Sequence, residues 1–251
     1  MVTRAVLGGN IYRTVMKIMP GIDQLNNKKV LLRCDFDIPV LDGKISETFR
    51  IQKQKPVIDF LLKQSSVVMI AHIKALNSFK DIKSELENIL GRKFELIDNL
   101  GELGSRVRNL GKRELCLLDN IRNWSGEEIN DELFAKTMSA GFDLYINNAF
   151  AVCHRKHASV SVITKFLPSY AGFLVEEETN QLDNMINLLK DGKIFIMGGA
   201  KTKTKIPVIK NFIDKSQNIL VGGVVANDIL KEMGVDIGLS VVDGDTAGLL
   251  E

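Results

Sequence analysis

The chain has 251 residues, 45% of them hydrophobic and 25% charged, with a formal net charge of +2. That balance suits a soluble globular protein with length enough for one large or two small cores, and it excludes a surface built to coat nucleic acid. No apolar run approaches the roughly 18 residues a membrane span needs, and residues 1–13 lack the apolar stretch of a secretory signal. The three cysteines, Cys34, Cys116 and Cys153, are odd in number and form no C-x-x-C pair. They read as reduced thiols in a cytoplasmic protein.

Residues 1–15 show no clear periodicity and read as an N-terminal extension. From Lys29 the chain alternates strand and helix. An apolar strand over 30–36 leads to a turn at Asp42-Gly43. A helix over 48–63 places Ile51, Val57, Ile58, Leu61 and Leu62 at helical spacing. A buried strand over 67–71 follows, then a helix over 81–90 closed by Gly91. Short strands are expected over 94–97 and 115–118, with a helix near 104–110 between them. A helix over 131–140 ends at Gly141 and feeds a strand over 142–147. The pattern predicts a parallel sheet with helices on both faces. Beyond it, an acid-started amphipathic stretch over 176–189 reads as one long helix. A buried strand over 193–197, one more strand over 218–221 and a helix around 227–233 follow. Two strands do not make a stable doubly wound sheet, so this second domain reads as incomplete.

In such sheets ligands bind beyond the carboxyl ends of the strands. There stand Asp35, Asp37 and Pro39 after the first strand, His72 after the second, and Asp119, Asn120 and Arg122 after the 115–118 strand. After the 142–147 strand comes His154-Arg155-Lys156-His157, which holds two of the chain's three histidines. Guanidinium and imidazolium groups together suit a small, multiply anionic ligand. Alone this cluster fits a solvated loop equally well; the polar side chains collected on one sheet edge favour a site. A second signal is Gly198-Gly199-Ala200-Lys201-Thr202-Lys203-Thr204-Lys205, where a strand, two glycines and a lysine-rich helix start suit a phosphate. Its spacing is not that of a Walker A loop. Alone it also fits a glycine turn with a solvated lysine face.

These stretches together resemble the phosphoglycerate kinase family. The resemblance rests on Arg33-Cys34-Asp35-Phe36-Asp37-Ile38-Pro39, Gly43-Lys44-Ile45 with Arg50-Ile51, Asp119-Asn120-Ile121-Arg122 with Gly126-Glu127-Glu128, and Asn147-Asn148-Ala149-Phe150. It continues through His154-Arg155-Lys156-His157-Ala158-Ser159, Lys165-Phe166-Leu167-Pro168, Ala171-Gly172-Phe173-Leu174, Gly198-Gly199-Ala200-Lys201 and Gly222-Gly223, in order from about Met16 to Glu251.

The resemblance implies an α/β fold: a doubly wound parallel-sheet N-terminal domain, a long linking helix and a partial second Rossmann-like domain. Residues 16–175 would bind 3-phosphoglycerate or 1,3-bisphosphoglycerate, 176–190 would link, and 191–251 would form an incomplete nucleotide-binding domain for ADP or ATP with Mg²⁺. Asp35 and Asp37 would hold the glycerate end, and Arg50, His72, Arg122 and Arg155 the carboxylate and phosphate. Arg50 and Lys205 would be catalytic. Gly199, Lys201, Lys205, Gly222 and Gly223 would contact nucleotide, and no protein metal ligand is expected within the chain. The expected reaction is reversible phosphoryl transfer in glycolysis, by positioning and charge neutralisation, in a monomer without nucleic-acid or membrane partners.

The chain also departs from the family pattern. Ala75 replaces a substrate arginine, with Lys74 beside it, and Asp37 replaces an asparagine. Asn148 and Ala151 differ as well. The family's late glycine-rich loop and Mg²⁺-binding aspartate would lie beyond residue 251, so a weakly active or inactive chain is expected. A non-catalytic relative that binds an anionic metabolite is the alternative, and an unrelated nucleotide-binding α/β module a third.

Overall fold

A computed structural model describes residues 17–244; the extension expected over 1–15 lies outside them. The chain divides into two compact units with the boundary after Thr179. The first unit runs β1 (Lys29–Arg33), β2 (Val40–Leu41), β3 (Lys44–Ile45), α1 (Phe49–Leu61), β4 (Ser66–Ile70), α2 (Lys83–Leu90) and β5 (Glu95–Ile97). It continues with α3 (Leu100–Arg108), β6 (Leu115–Leu118), α4 (Glu132–Met138), β7 (Leu144–Asn147), β8 (Ser169–Ala171) and the start of α5 (Phe173–Asn187).

Six strands form one sheet in the order β5-β6-β4-β1-β7-β8, and every pairing is parallel. From β1 the chain winds outward through β4 to β5 and β6, then returns to place β7 on the other side of β1. The winding therefore reverses at β1. The crevice beyond the carboxyl ends of β4, β1 and β7 is where a sheet of this kind takes its ligand.

Alternation along the strands explains why both faces are covered. Val30, Leu32, Val67, Met69, Leu115 and Leu117 point into one core, with Ile51, Val57, Ile58, Leu86 and Leu90 from α1 and α2. Leu31, Val68, Ile70, Cys116, Leu118 and Tyr145 point into the other, with residues of α3 and α4. With both faces apolar, these strands read as continuous hydrophobic runs. Local chemistry sets the ends. The Asp131 carboxylate accepts the Phe134 N–H at 2.6 Å and caps α4. Gly91, at φ 67°, closes α2 in the left-handed region. Asp42 (φ 50°) and Gly43 (φ 74°) make the two-residue turn between β2 and β3.

The expected elements are all present, with ends shifted by a few residues. Strands β2, β3 and β8 were not expected; at two or three residues each they are too short for periodicity to mark. In the second unit, β9 (Ile194–Met197) and β10 (Asn218–Val221) pair in parallel, with α6 (Thr202–Phe212) and α7 (Gly223–Glu232) beside them in sequence. The expectation that 193–197 is buried is corrected here. Phe195 stacks on Phe212 of α6 at 4.3 Å, but Ile194 is 57% and Ile196 73% exposed. One face of this small sheet is uncovered within its unit.

Gly172 joins β8 to α5 in very little space. A Cβ there would lie 2.5 Å from Asn148 Oδ1 and 2.9 Å from Asn148 Cβ. Asn148 is buried and cannot retreat: its amide donates to Gln54 Oε1 at 2.8 Å and its Oδ1 accepts from the Leu174 N–H at 2.9 Å. Gly172→Ala is expected to cost about 1–3 kcal/mol by overpacking, read as a lower urea midpoint at unchanged slope. An unchanged midpoint would show that the turn yields freely.

Candidate anion-binding site

The carboxyl ends of β1, β4, β6 and β7 bring together most of the side chains expected to bind. After β1, Asp35 and Asp37 are both partly buried. The Asp37 carboxylate accepts the Lys74 N–H at 3.0 Å and lies 3.3 Å from the Lys74 ammonium. His72 Nε2 lies 3.4 Å from the same carboxylate. Arg50, from the first turn of α1, donates to the Asp37 carbonyl at 2.9 Å and sits 3.7 Å from Asp35. The two aspartates therefore hold Arg50 and Lys74 over the crevice.

After β6, Asn120 ties the loop down by donating to the Ile73 and Leu76 carbonyls at 2.8 and 3.1 Å. Asp119 accepts the Phe79 N–H at 2.7 Å. Arg122 follows, with Nε 3.3 Å from Glu128. Its Nη2 is buried with no acceptor among the described residues, and the same is true of Arg155 Nε. Two buried guanidinium donors without an acceptor mark a place where an anion completes the hydrogen bonding.

The His154-Arg155-Lys156-His157 stretch divides. His154 and Lys156 face solvent, while Arg155 and His157 are partly buried. His157 Nδ1 lies 3.8 Å from the buried Glu127 carboxylate.

The expectation of imidazolium charge is corrected. Burial, then the Arg33 and Arg122 guanidiniums, push His72 down to about 3 against the opposing pull of Asp37. Burial, with Arg122 and Arg155, also lowers His157 against the pull of Glu127. Both rings are therefore neutral near pH 7, and the pocket's positive charge comes from its arginines and Lys74. For Asp37, burial works upward, but the Lys74 N–H and the neighbouring His72 and Lys74 side chains hold the carboxyl below its ordinary value. It is ionised at neutral pH.

Three buried side chains, Arg33, Glu127 and Ser159, support this site from behind. Their spacing gave no hint of it, although all three lie in motif stretches of the sequence.

In the second unit, Gly199 (φ 139°) and Gly223 (φ 62°) face each other across the ends of β9 and β10. A Cβ on Gly223 would lie 3.5 Å from the Gly199 backbone, and one on Gly199 would touch Lys205 Cε at 3.4 Å. Gly222 donates to the Met197 carbonyl at 2.9 Å. Lys201 is exposed and Lys205 partly buried. At the start of α6 the Thr202 N–H already donates to the Asp243 carboxylate at 2.9 Å, so an incoming phosphate there meets a resident anion.

Among the described residues, Glu95, Glu114 and Cys116 form a group with metal-ligand spacing. It does not suit Mg²⁺, which takes oxygen ligands. Arg106 already bonds both carboxylates, and burial raises the Cys116 thiol to about 12. The group stands at the opposite, amino-terminal edge of the sheet, beside a cleft of about 690 Å³ lined by Lys83, Arg92, Lys93 and Arg113.

The phosphoglycerate kinase family model matches residues 21–251. The chain belongs to the phosphoglycerate kinase family. A phosphoglycerate kinase of Wolbachia sp. subsp. Drosophila simulans is 37% identical over 243 residues, covering 92% of this chain and 61% of that protein. One from Dictyoglomus turgidum is 35% identical, over 90% and 60%. Solved phosphoglycerate kinase structures agree: that of Coxiella burnetii has TM-score 0.76 at 28% identity, covering 88% of this chain and 58% of that one. That of Pyrococcus horikoshii OT3 has TM-score 0.77 at 27% identity, covering 85% and 57%. The chain thus spans about three fifths of the length of the phosphoglycerate kinases it matches.

Asp37 sets a limit on what this pocket can hold, because its carboxylate neutralises Lys74 and repels an anion. Asp37→Asn is expected to tighten binding of a small anion, probed with inorganic phosphate, by about tenfold, the effect of removing about 1.4 kcal/mol of repulsion, measured by calorimetric titration at pH 7. Equal or weaker affinity would show that Lys74 does not face the ligand.

Proposed function

We propose that the first unit binds 3-phosphoglycerate or 1,3-bisphosphoglycerate and that the chain takes part in phosphoryl transfer between that acid and ADP or ATP. The observation that carries this reading is the pair of buried guanidinium donors on Arg122 and Arg155 that have no acceptor among the described residues, in a chain that matches the family model. Residues 16–175 would form the acid-binding domain, 176–190 the link and 191–251 part of the nucleotide domain. Cytoplasmic location and a monomeric state belong to the same reading.

Asp35 and Asp37 orient the glycerate hydroxyl and the arginines beside it. Arg122 and Arg155 take the phosphate, with a neutral N–H from His72 and charge from Arg50 toward the transferring group. Such transfer needs positioning and charge neutralisation more than covalent help. Lys201 and Lys205, with the backbone around Gly199, Gly222 and Gly223, would meet the nucleotide phosphates. Mg²⁺ would arrive with the nucleotide; the described residues show no oxygen cage for it, and no step is derived through it.

A binding role with little turnover has support of its own. Asp37 offsets Lys74, and Ala75 stands where the family pattern has an arginine. Titrating 3-phosphoglycerate and MgATP separately tests the reading: the acid is expected to bind and to lose about tenfold or more in affinity in Arg122→Met. Failure of both ligands to bind would overturn it. Where a coupled assay detects turnover, Lys205→Ala should lower kcat far more than it weakens nucleotide binding. Equal losses would contradict a transition-state role.

A further inference from the structure

Arg33 closes β1 at the point where the winding reverses, yet its side chain is only 1% exposed and brings no charge to the surface. Its guanidinium is spent inside. Nε donates to Ser159 Oγ at 3.2 Å, and Nη1 donates to the Cys34 carbonyl and to the Ile70 carbonyl. Nη2 lies 2.9 Å from His72 Nδ1. A guanidinium has donors and no acceptor. This contact is therefore a hydrogen bond only if His72 Nδ1 carries a lone pair, which places the ring proton on Nε2, 3.4 Å from the Asp37 carboxylate.

The chain of donors continues behind Arg33 with no freedom in its direction. Ser159 Oγ accepts from Arg33 and so donates its own hydrogen to Glu127 Oε1, at 2.6 Å. The Ser159 N–H donates to Glu127 Oε2 at 2.8 Å. Glu127 is 1% exposed and fixed by both bonds.

We infer that Arg33, anchored by Glu127 through Ser159, is a positioning residue that fixes His72 as a neutral Nε2–H donor aimed at the acid pocket. The inference rests on the proposed function for the identity of the ligand, a phosphorylated small acid. The charged groups facing the ring are Arg33 and Asp37 from the end of β1, Lys74 from its own loop and Arg122 from the end of β6. Three cations oppose one carboxylate, and burial acts with the cations. The ring thus offers direction rather than charge. Residues behind a ligand-binding imidazole commonly set its tautomer in this way.

The test is the ¹⁵N–¹H spectrum of the histidine rings in the whole chain, tractable because there are only three histidines. The native protein is expected to show His72 as the Nε2–H tautomer, unprotonated from pH 5 to 8. In Arg33→Met the Nδ1–H tautomer should appear, the ring should titrate nearer the ordinary histidine value, and 3-phosphoglycerate affinity should fall by about tenfold or more. If Arg33→Met does not fold, Ser159→Ala removes one hydroxyl and is read in its place, with a mixture of tautomers expected. A native Nδ1–H tautomer, or an unaltered Nε2–H ring in the variant read, overturns the inference. Failure of 3-phosphoglycerate to bind while the native ring is Nε2–H overturns the proposed function and leaves the tautomer assignment standing.

Discussion

A guanidinium shut away from water at the end of the central strand has to be satisfied by protein alone, and much of the first unit is arranged around that requirement. Stripping a cation of its hydration costs several kcal/mol, and leaving it without partners would cost more. Arg33 meets the demand with the Cys34 and Ile70 carbonyls, the Ser159 hydroxyl and the His72 ring. Those partners come from the ends of two neighbouring strands and from a loop more than a hundred residues away. Tyr145 adds a bond from its hydroxyl to the Ser159 carbonyl, so the loop that carries Arg155 is pinned from below. The pocket's front wall inherits its geometry from this buried layer.

In front of that layer the electrostatics are divided by depth. Arg50 and Lys74 stand half exposed over the crevice, each held by an aspartate. Arg122 is 17% exposed by side chain and keeps one donor free. The overall charge of +2 hides this local concentration. Asp37 both organises this pocket and limits it. Its carboxylate orders His72 and Lys74, and the same negative charge opposes an anion. A pocket that is preorganised by an internal carboxylate gains order and gives up affinity.

Parts of this were legible in the sequence for definite reasons. Strands buried on both faces are unbroken apolar runs, so the sheet and its helices could be placed from periodicity. The rule that parallel sheets bind at their carboxyl ends then pointed to Asp35, His72 and Arg122 without knowledge of any contact. What could not be read was depth. Arg33 closes the strand run Lys29-Val30-Leu31-Leu32-Arg33 and resembles a surface charge until its partners are known. Glu127 and Ser159 lie far from it in sequence, and a serine between two charged groups leaves no periodic trace. The charge of His72 and His157 was misread for a related reason, since it depends first on burial and then on cations that meet only in the fold. The apolar run of β9 misled in the opposite sense, because such a run marks a strand that two layers can cover, whether or not both are present.

The proposed acid-binding site is the crevice at the carboxyl ends of β1, β4, β6 and β7. Backbone amide shift mapping of the ¹⁵N-labelled chain during titration with 3-phosphoglycerate tests it most directly. Saturable shifts are expected, grouped at residues 35–37, 72–74, 120–122 and 153–157. Shifts grouped instead around Lys83, Arg92 and Arg113 at the opposite edge of the sheet, or no saturable shifts at all, would contradict it.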